Sequence, residues 1–199
     1  MDLEALVRQK KQIRAIGFDD SPFERHQQGK VNISGVICAN TRFEGMVWGE
    51  VEVDGHDATE TICQLLLGKK FLPQLHLVLI DGICFGGFNL IDLSQLAARL
   101  HLPCVAVMRK PPKLEKMKEA MSRLPNYESR LLTLEQAGKI HAYPPFFFQV
   151  RGEQAEIIAR ALMQLTDRGK VPEALRLAHL IGAAVIKGES GSSAWITSV

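Results

Sequence analysis

In the first third of the chain, apolar residues cluster in short runs of the kind that form β-strands. The first run, residues 13–18, ends at Asp19-Asp20-Ser21-Pro22, a combination that favours a turn. Two β-rich stretches follow, residues 31–39 and 43–53, with three residues between them. Because such a short connection is typical of a hairpin, the three runs predict an antiparallel meander.

The hydrophobic period changes to a helical one after the third strand. Ile62, Leu65 and Leu66 form a stripe that predicts a helix. Asp57 stands before this stripe with Glu60 three residues later, a spacing that resembles a capping box. The sequence therefore predicts that a helix begins near Asp57.

Two later strands are indicated by short continuous apolar runs at residues 77–80 and 104–108. Runs of this kind are typical of strands buried on both faces. A helical stripe at residues 93–100 separates them, so they should run parallel through a right-handed crossover. The order predicts an α/β fold with a mixed five-stranded sheet, three antiparallel strands followed by two parallel ones, flanked by helices.

The last third is predicted to be mainly helical. Residues 153–168 carry one helical stripe, and Pro172 and Gly188 bound a final helix. That helix should dock on the core through the residues of its apolar stripe: Leu175, Ala178, Ile181 and Val185. Residues 109–152 combine a charged helix with a Pro- and Phe-rich stretch compatible with a strand. We expect one domain over residues 1–188 and a flexible tail, rich in Ser and Gly, over residues 189–199.

The composition is that of an ordinary globular protein, with 46% hydrophobic and 23% charged residues in a chain of 199. The formal net charge of +2 neither demands nor excludes a polyanionic partner. The acidic N-terminus does not resemble a signal peptide, and no apolar run reaches membrane-spanning length. The four cysteines form no Cys-x-x-Cys pair, which argues against a zinc site and a redox motif. We therefore expect a cytoplasmic protein with reduced thiols and no membrane partner.

Positive charge is concentrated in residues 109–130, which contain seven Lys or Arg residues and only three Glu residues. Arg109, Lys110 and Lys113 begin this segment and are the candidate contacts to nucleic-acid phosphates. A solvated helix with Glu and Lys at helical spacing is the alternative interpretation.

Three carboxylates stand where chemistry is expected in such a sheet. Asp19 follows the first strand, Asp81 follows the first parallel strand, and Glu60 lies at the start of a helix. The carboxyl ends of neighbouring parallel strands gather ligands, and clustered carboxylates suit Mg²⁺, which prefers oxygen donors. The alternative is that the two aspartates serve only turns and that Glu60 completes a helix cap.

Five stretches of the chain resemble the signature segments of family ninety-nine of the domains of unknown function, in the same order from residue 17 to residue 181. We identify the chain as a member of that family on these stretches: Gly17-Phe18-Asp19-Asp20-Ser21-Pro22-Phe23, Val53-Asp54-Gly55-His56-Asp57-Ala58-Thr59, residues 81–92, residues 102–107 and residues 172–181.

The chain also resembles endonuclease V, a ribonuclease H-like enzyme that cleaves nucleic acid beside deaminated bases with Mg²⁺. The similarity lies in Gly17-Phe18-Asp19, in the helix-borne Glu60, and in Asp81-Gly82 after a strand. It implies that Asp19, Glu60 and Asp81 are catalytic residues and ligands of Mg²⁺ or Mn²⁺. If the register is slightly different, Asp20 and Asp57 take their place.

The chain departs from endonuclease V at Gly86-Gly87-Phe88-Asn89 and in two further places. Residues 51–55 stand where that enzyme has a Pro- and Tyr-containing wedge, and Arg151-Gly152 stands where it has a Gly-His pair. The comparison thus predicts no active-site histidine. His179 is assigned a structural role on the last helix, and His56 is interpreted either as a solvated turn residue or as a neighbour of the site.

Three functions fit these features. The first is a metal-dependent nuclease acting on RNA or DNA, and the second is a non-catalytic nucleic-acid-binding or interaction module. The third, an enzyme for a small phosphorylated metabolite, is suggested by Gly86-Gly87, although no nucleotide-binding fingerprint is present. The carboxylate set distinguishes the first from the second, because a pure binding module has no need of it.

Overall fold

The structure, a computed structural model, describes residues 2–24 and 28–191. Part of the tail predicted to be flexible, residues 192–199, lies outside this range. The strands are β1 (Arg14–Asp20), β2 (Lys30–Ala39), β3 (Arg42–Glu52), β4 (Leu77–Asp81), β5 (Cys84–Phe85), β6 (Asn89–Leu90), β7 (Cys104–Met108), β8 (His141–Tyr143) and β9 (Phe146–Arg151). The helices are α1 (Leu3–Arg8), α2 (Ala58–Leu66), α3 (Leu93–Leu100), α4 (Leu114–Met121), α5 (Tyr127–Gln136), α6 (Ala155–Gln164) and α7 (Glu173–Lys187).

The main sheet has seven strands in the order β3-β2-β1-β4-β7-β9-β8. The antiparallel meander and the two parallel strands are confirmed, but the predicted count of five is wrong. The additional strands, β8 and β9, form a hairpin that continues the sheet antiparallel to β7. The sequence obscured it because two prolines precede the aromatic run of β9. Pairing with β7 gives the Phe146–Arg151 backbone the hydrogen bonds that an isolated hairpin would lack.

Helices cover both faces of the sheet and enclose two main apolar clusters. Even-numbered residues of β1 and β4, such as Ile16 and Ile80, pack towards α2 and α3. Odd-numbered ones, such as Ala15 and Leu79, pack towards α6 and α7. Because side chains alternate along a strand, each residue near the strand ends has its face assigned by this register.

The last helix lies directly on β1. A Cβ on Gly17 would come within 2.7 Å of the backbone of Ala174 and Leu175, so glycine at that position permits the close approach. Leu175 and Ala178 are buried as predicted, but Val185 is 60% exposed, and its predicted docking contact is wrong. The cause is geometric: Gly182 packs on Ser21, just past the end of β1, so the last turn extends beyond the sheet.

Three of the four cysteines are buried and Cys84 is half-buried, and all four are free thiols. Burial raises the pKa of the Cys104 thiol and, to about 12, that of Cys38. Among the described residues, no helix has both the length and the apolar character needed to cross a membrane.

Candidate active site at the carboxyl edge of the sheet

Strand register brings Asp19 and Asp81 side by side. β1 and β4 run parallel with Phe18 paired to Ile80, so the next residue of each strand is one of the two aspartates. Both have the odd-numbered orientation that faces α7. Neighbouring strands are about 4.8 Å apart, and Asp19 is 5% exposed. The predicted meeting of these two carboxylates at one edge is therefore present in the fold.

His179 of α7 contacts the first of these carboxylates. Its Nδ1 lies 2.8 Å from Oδ2 of Asp19 and donates an N–H to it when the proton is on that nitrogen. The sequence comparison predicted no active-site histidine and gave His179 a structural role, yet the fold places this side chain against Asp19. The signal was available: His179 follows Leu175 by four residues and precedes Gly182 by three, so all three lie on the helix face that meets β1.

Arg109 contacts the second carboxylate. It lies two residues after Val107, the partner of Asp81 in the β4–β7 register, and therefore on the same face of the sheet. Its Nη2 is 3.2 Å from Oδ2 of Asp81. Arg109 thus faces the site, whereas Lys110 and Lys113 are exposed in the loop that follows.

Asp20 points to the opposite face of β1 and has a different partner. The backbone N–H of Gly86 donates to its Oδ2 at 2.7 Å. Gly86 belongs to the loop that joins the short strands β5 and β6, and its φ of +52° lies in the left-handed region. The predicted stand-in Asp20 therefore holds this loop against the end of β1.

The carboxylates carry more negative charge than their surroundings readily stabilise. Burial raises the pKa of Asp19 to about 7, and the charge of Asp81 adds to that effect. Burial likewise raises the pKa of Asp20 to about 6, and raises that of Asp81 against the opposing effect of Arg109. Because ionisation of each group is disfavoured, a cation arriving at this edge would be bound favourably.

The structure does not bring Glu60 into this cluster. Its carboxylate is exposed and pairs with Arg99 of α3 at 2.5 Å, which lowers the pKa of Glu60. Glu60 lies in the first turn of α2, and its side chain points towards α3, where it contacts the Arg99 guanidinium. Glu60 and the aspartates are thus separate sites.

The predicted capping box at α2 is also wrong. The Asp57 carboxylate makes no bond to the helix start and instead accepts from the Glu52 N–H and from Nδ2 of Asn89. Oδ1 of Asn89 accepts the N–H of Ala58 at 3.0 Å, so a distant residue caps the helix. Asp57, the second stand-in ligand, is committed to this turn.

Arg130 of α5 is buried behind the same turn with 2% exposure. All five of its N–H groups have acceptors. Four donate to backbone carbonyls, those of Pro125, Gly55, Phe88 and Asp54. The fifth points to Nε2 of His56 at 3.1 Å. Arg130 therefore ties α5 to the residue 54–56 turn and to the loop at Phe88, a role that the charged pattern of this segment did not indicate.

A polar atom near Asp19 lacks a partner. Ser21 is 2% exposed, and within the described residues its Oγ has no hydrogen bond. It lies on the same face as Asp19, against Gly182. A buried hydroxyl of this kind is costly unless something binds to it, which fits a group bound beside Asp19.

Within residues 2–24 and 28–191, no group of three or more His, Cys, Asp or Glu side chains is arranged to hold a metal ion. The donors that the fold does supply are the carboxylates of Asp19 and Asp81, with the Ser21 hydroxyl on the same face. Mg²⁺ is commonly held by one or two carboxylates together with water and substrate phosphate, so this set fits such an ion without a full protein cage.

Comparison with known proteins gives relatives along nearly the whole chain. A sequence model of the family described as endonuclease dU matches residues 11–186. A protein of Methanothermobacter thermautotrophicus described as UPF0215 is 36% identical over 190 residues, which cover 93% of each chain. The crystal structure of a protein of unknown function from Archaeoglobus fulgidus has a TM-score of 0.82 at 32% identity, covering 87% of this chain and 98% of that one.

The fold is also similar to that of endonuclease V. The Ciona intestinalis enzyme, solved in complex with DNA containing an inosine followed by a ribo-adenosine, has a TM-score of 0.57 at 17% identity and covers 94% of this chain and 95% of its own. At this identity the similarity establishes the fold. The resemblance to an endonuclease V-like family is confirmed.

Proposed function

Since the chain belongs to the endonuclease dU family, we propose that it is a divalent-metal-dependent endonuclease that hydrolyses phosphodiester bonds in nucleic acid carrying a deaminated base. The family's description names dU, which denotes deoxyuridine, and its base, uracil, is deaminated cytosine. The observation that supports this most directly is the pair of adjacent carboxylates, buried Asp19 and half-buried Asp81, at the carboxyl edge of parallel strands.

Asp19 and Asp81 would hold Mg²⁺ or Mn²⁺, with the Ser21 hydroxyl beside them. When bound, such an ion lowers the pKa of water and stabilises the leaving oxygen of the phosphodiester, the chemistry of ribonuclease H-like enzymes. The unfavourable ionisation of both aspartates supports this assignment, because a cation relieves their mutual repulsion.

The remaining residues act on Asp19, Asp81 and the substrate. His179 orients Asp19 through the Nδ1 hydrogen bond. Arg109 is beside Asp81, where its guanidinium can also reach a phosphate oxygen. Lys110 and Lys113 would contact neighbouring phosphates from the exposed loop.

The reaction itself is hydrolysis. The oxygen of a water molecule forms a bond to phosphorus while one phosphorus–oxygen ester bond breaks. The water loses one proton, and the departing sugar oxygen gains one, so the products are a phosphate monoester and an alcohol. No oxidant or second substrate is required.

The test is a cleavage assay on labelled single- and double-stranded DNA and RNA containing deoxyuridine or inosine, with Mg²⁺, with Mn²⁺ or with EDTA. We expect a metal-dependent cut near the modified base, and a loss of at least about a hundredfold in Asp19→Asn and in Asp81→Asn. Asp167→Asn, an exposed aspartate between α6 and α7, is the matched control. Metal-independent cleavage, or full activity in both variants, would contradict the proposal.

The existing ion pairs favour a second candidate, the non-catalytic nucleic-acid-binding module. His179 and Arg109 already place partners on the two aspartates, so the edge can persist without a metal. Salt-sensitive binding of nucleic acid with no cleavage under any metal condition would support this module over the nuclease.

A further inference from the structure

The five hydrogen bonds of Arg130 determine the tautomer of His56. A guanidinium has donors and no acceptor, so the nitrogen facing it must accept. Nε2 of His56 lies 3.1 Å from Nη2 of Arg130, and Nδ2 of Asn126 lies 3.5 Å from the same nitrogen. Nε2 is therefore placed to accept, an arrangement that requires the ring proton to be on Nδ1.

In this arrangement Nδ1, the His56 ring nitrogen away from Arg130, is a hydrogen-bond donor and cannot accept. A solvated histidine exchanges its proton between the two nitrogens and can present either a donor or an acceptor. Here the buried guanidinium prevents that exchange, because a proton on Nε2 would point at another N–H. His56 is an exposed residue, so a ligand can approach it from solvent.

The turn that carries His56 is at the same edge of the sheet as the aspartates. β1 and β3 both pair antiparallel with β2, and both end opposite its first residues. The Asp54 N–H donates to the Gly86 carbonyl at 2.8 Å. The Gly86 N–H in turn donates to the Asp20 carboxylate, so two hydrogen bonds join the turn to the end of β1, on the face opposite to Asp19.

We propose that His56 is the specificity residue of this site and that its Nδ1–H recognises the carbonyl oxygen that deamination creates on a base. This rests on the proposed function for its class of substrate. Deamination replaces the exocyclic amino group of cytosine or adenine with a carbonyl, changing a donor into an acceptor. A group fixed as a donor bonds to uracil or hypoxanthine at that position and faces an N–H of cytosine or adenine.

Binding in EDTA tests this without depending on cleavage. Fluorescence anisotropy with the full chain would compare single-stranded DNA containing one deoxyuridine with the same strand containing deoxycytidine. We expect wild type to prefer deoxyuridine by about tenfold, the range of one base-edge contact. His56→Asn offers either an N–H or a carbonyl, so its preference should fall to about twofold or less while overall binding persists.

His101→Asn is the control, since His101 is exposed at the end of α3, at the opposite edge of the sheet, and its left-handed backbone (φ 53°) suits asparagine. It should keep the wild-type preference. The proposal is overturned if wild type shows no preference, or if His56→Asn retains it. A parallel cleavage assay separates the two proposals. If base preference is intact but no cleavage occurs, the nuclease function is contradicted and base recognition by His56 is retained.

Discussion

A buried arginine and a pair of aspartates stand at the carboxyl edge of this sheet, and their hydrogen-bonding surroundings differ. Arg130 has an acceptor for each of its five N–H groups and no need of a ligand. Asp19 and Asp81 lie side by side, contacted by His179 and Arg109, and burial still raises the pKa of both. A buried charged group whose hydrogen bonds are all made, such as Arg130, stabilises the fold. A carboxylate whose ionisation is disfavoured by burial is suited instead to binding a cation.

The largest effect is expected from removing the Arg130 guanidinium. Arg130→Met leaves several buried carbonyls unpaired, so the free energy of unfolding should fall by about 3 kcal/mol or more. Urea denaturation in EDTA measures it. Arg123→Met, at an exposed position, should change it by less than about 0.5 kcal/mol. A loss below about 1 kcal/mol for Arg130→Met would show that the contacts contribute little.

Because burial disfavours ionisation of the aspartates, the metal-free protein should become less stable as pH rises. The native pKa of Asp19 is about 7 against an ordinary 3.8, so the native state retains a proton that the unfolded chain has lost. The resulting stabilisation is complete below about pH 4 and is lost as pH rises through 7. Between pH 5 and pH 8 we expect a fall of about 2 kcal/mol.

Asp19→Asn should reduce this pH dependence, because the amide does not titrate, while Asp20 and Asp81, whose pKa values are also raised, keep part of it. Asp167→Asn should leave it as in wild type. Urea denaturation at several pH values in EDTA gives the comparison, and a stability that rises from pH 5 to pH 8 in wild type would contradict the burial argument.

A divalent cation should stabilise the same edge by a smaller amount. At ten times its dissociation constant, Mg²⁺ should add about 1.4 kcal/mol to the free energy of unfolding, seen by calorimetry as a higher Tm than in EDTA. Asp81→Asn should abolish the rise, and Asp167→Asn should keep it. If wild type shows no rise with Mg²⁺ or Mn²⁺, the binding-module interpretation replaces the nuclease.

The smallest effect is expected at Glu60, whose role as a metal ligand remains a prediction of the sequence. Its exposed pairing with Arg99 is of a kind that contributes little to stability. Glu60→Gln should therefore leave Tm unchanged and alter cleavage by less than about twofold. Loss of cleavage comparable to that of Asp81→Asn would show instead that α2 brings Glu60 to the metal when substrate is bound.

The local pattern was sufficient for much of this fold. Short apolar runs ended by Asp-Asp-Ser-Pro and Asp-Gly gave β1 and β4 with their aspartates at the ends, because turn residues stop a strand wherever it is placed. The separation of β4 from β7 by a helix required parallel pairing. The expectation that Asp19 and Asp81 meet also required β1 and β4 to be parallel neighbours, which the tertiary structure supplies.

What the sequence could not supply were contacts between residues far apart along the chain. His179 meets Asp19 across 160 residues only because Gly17 admits α7. Glu60 has the sequence position expected of a helix-capping residue and of a metal ligand. In the fold, however, it pairs with Arg99 of α3, and Asn89 caps the helix instead. Periodicity fixes which residues share a face of one element; packing between elements decides which charges meet, and that depends on distances that no local pattern contains.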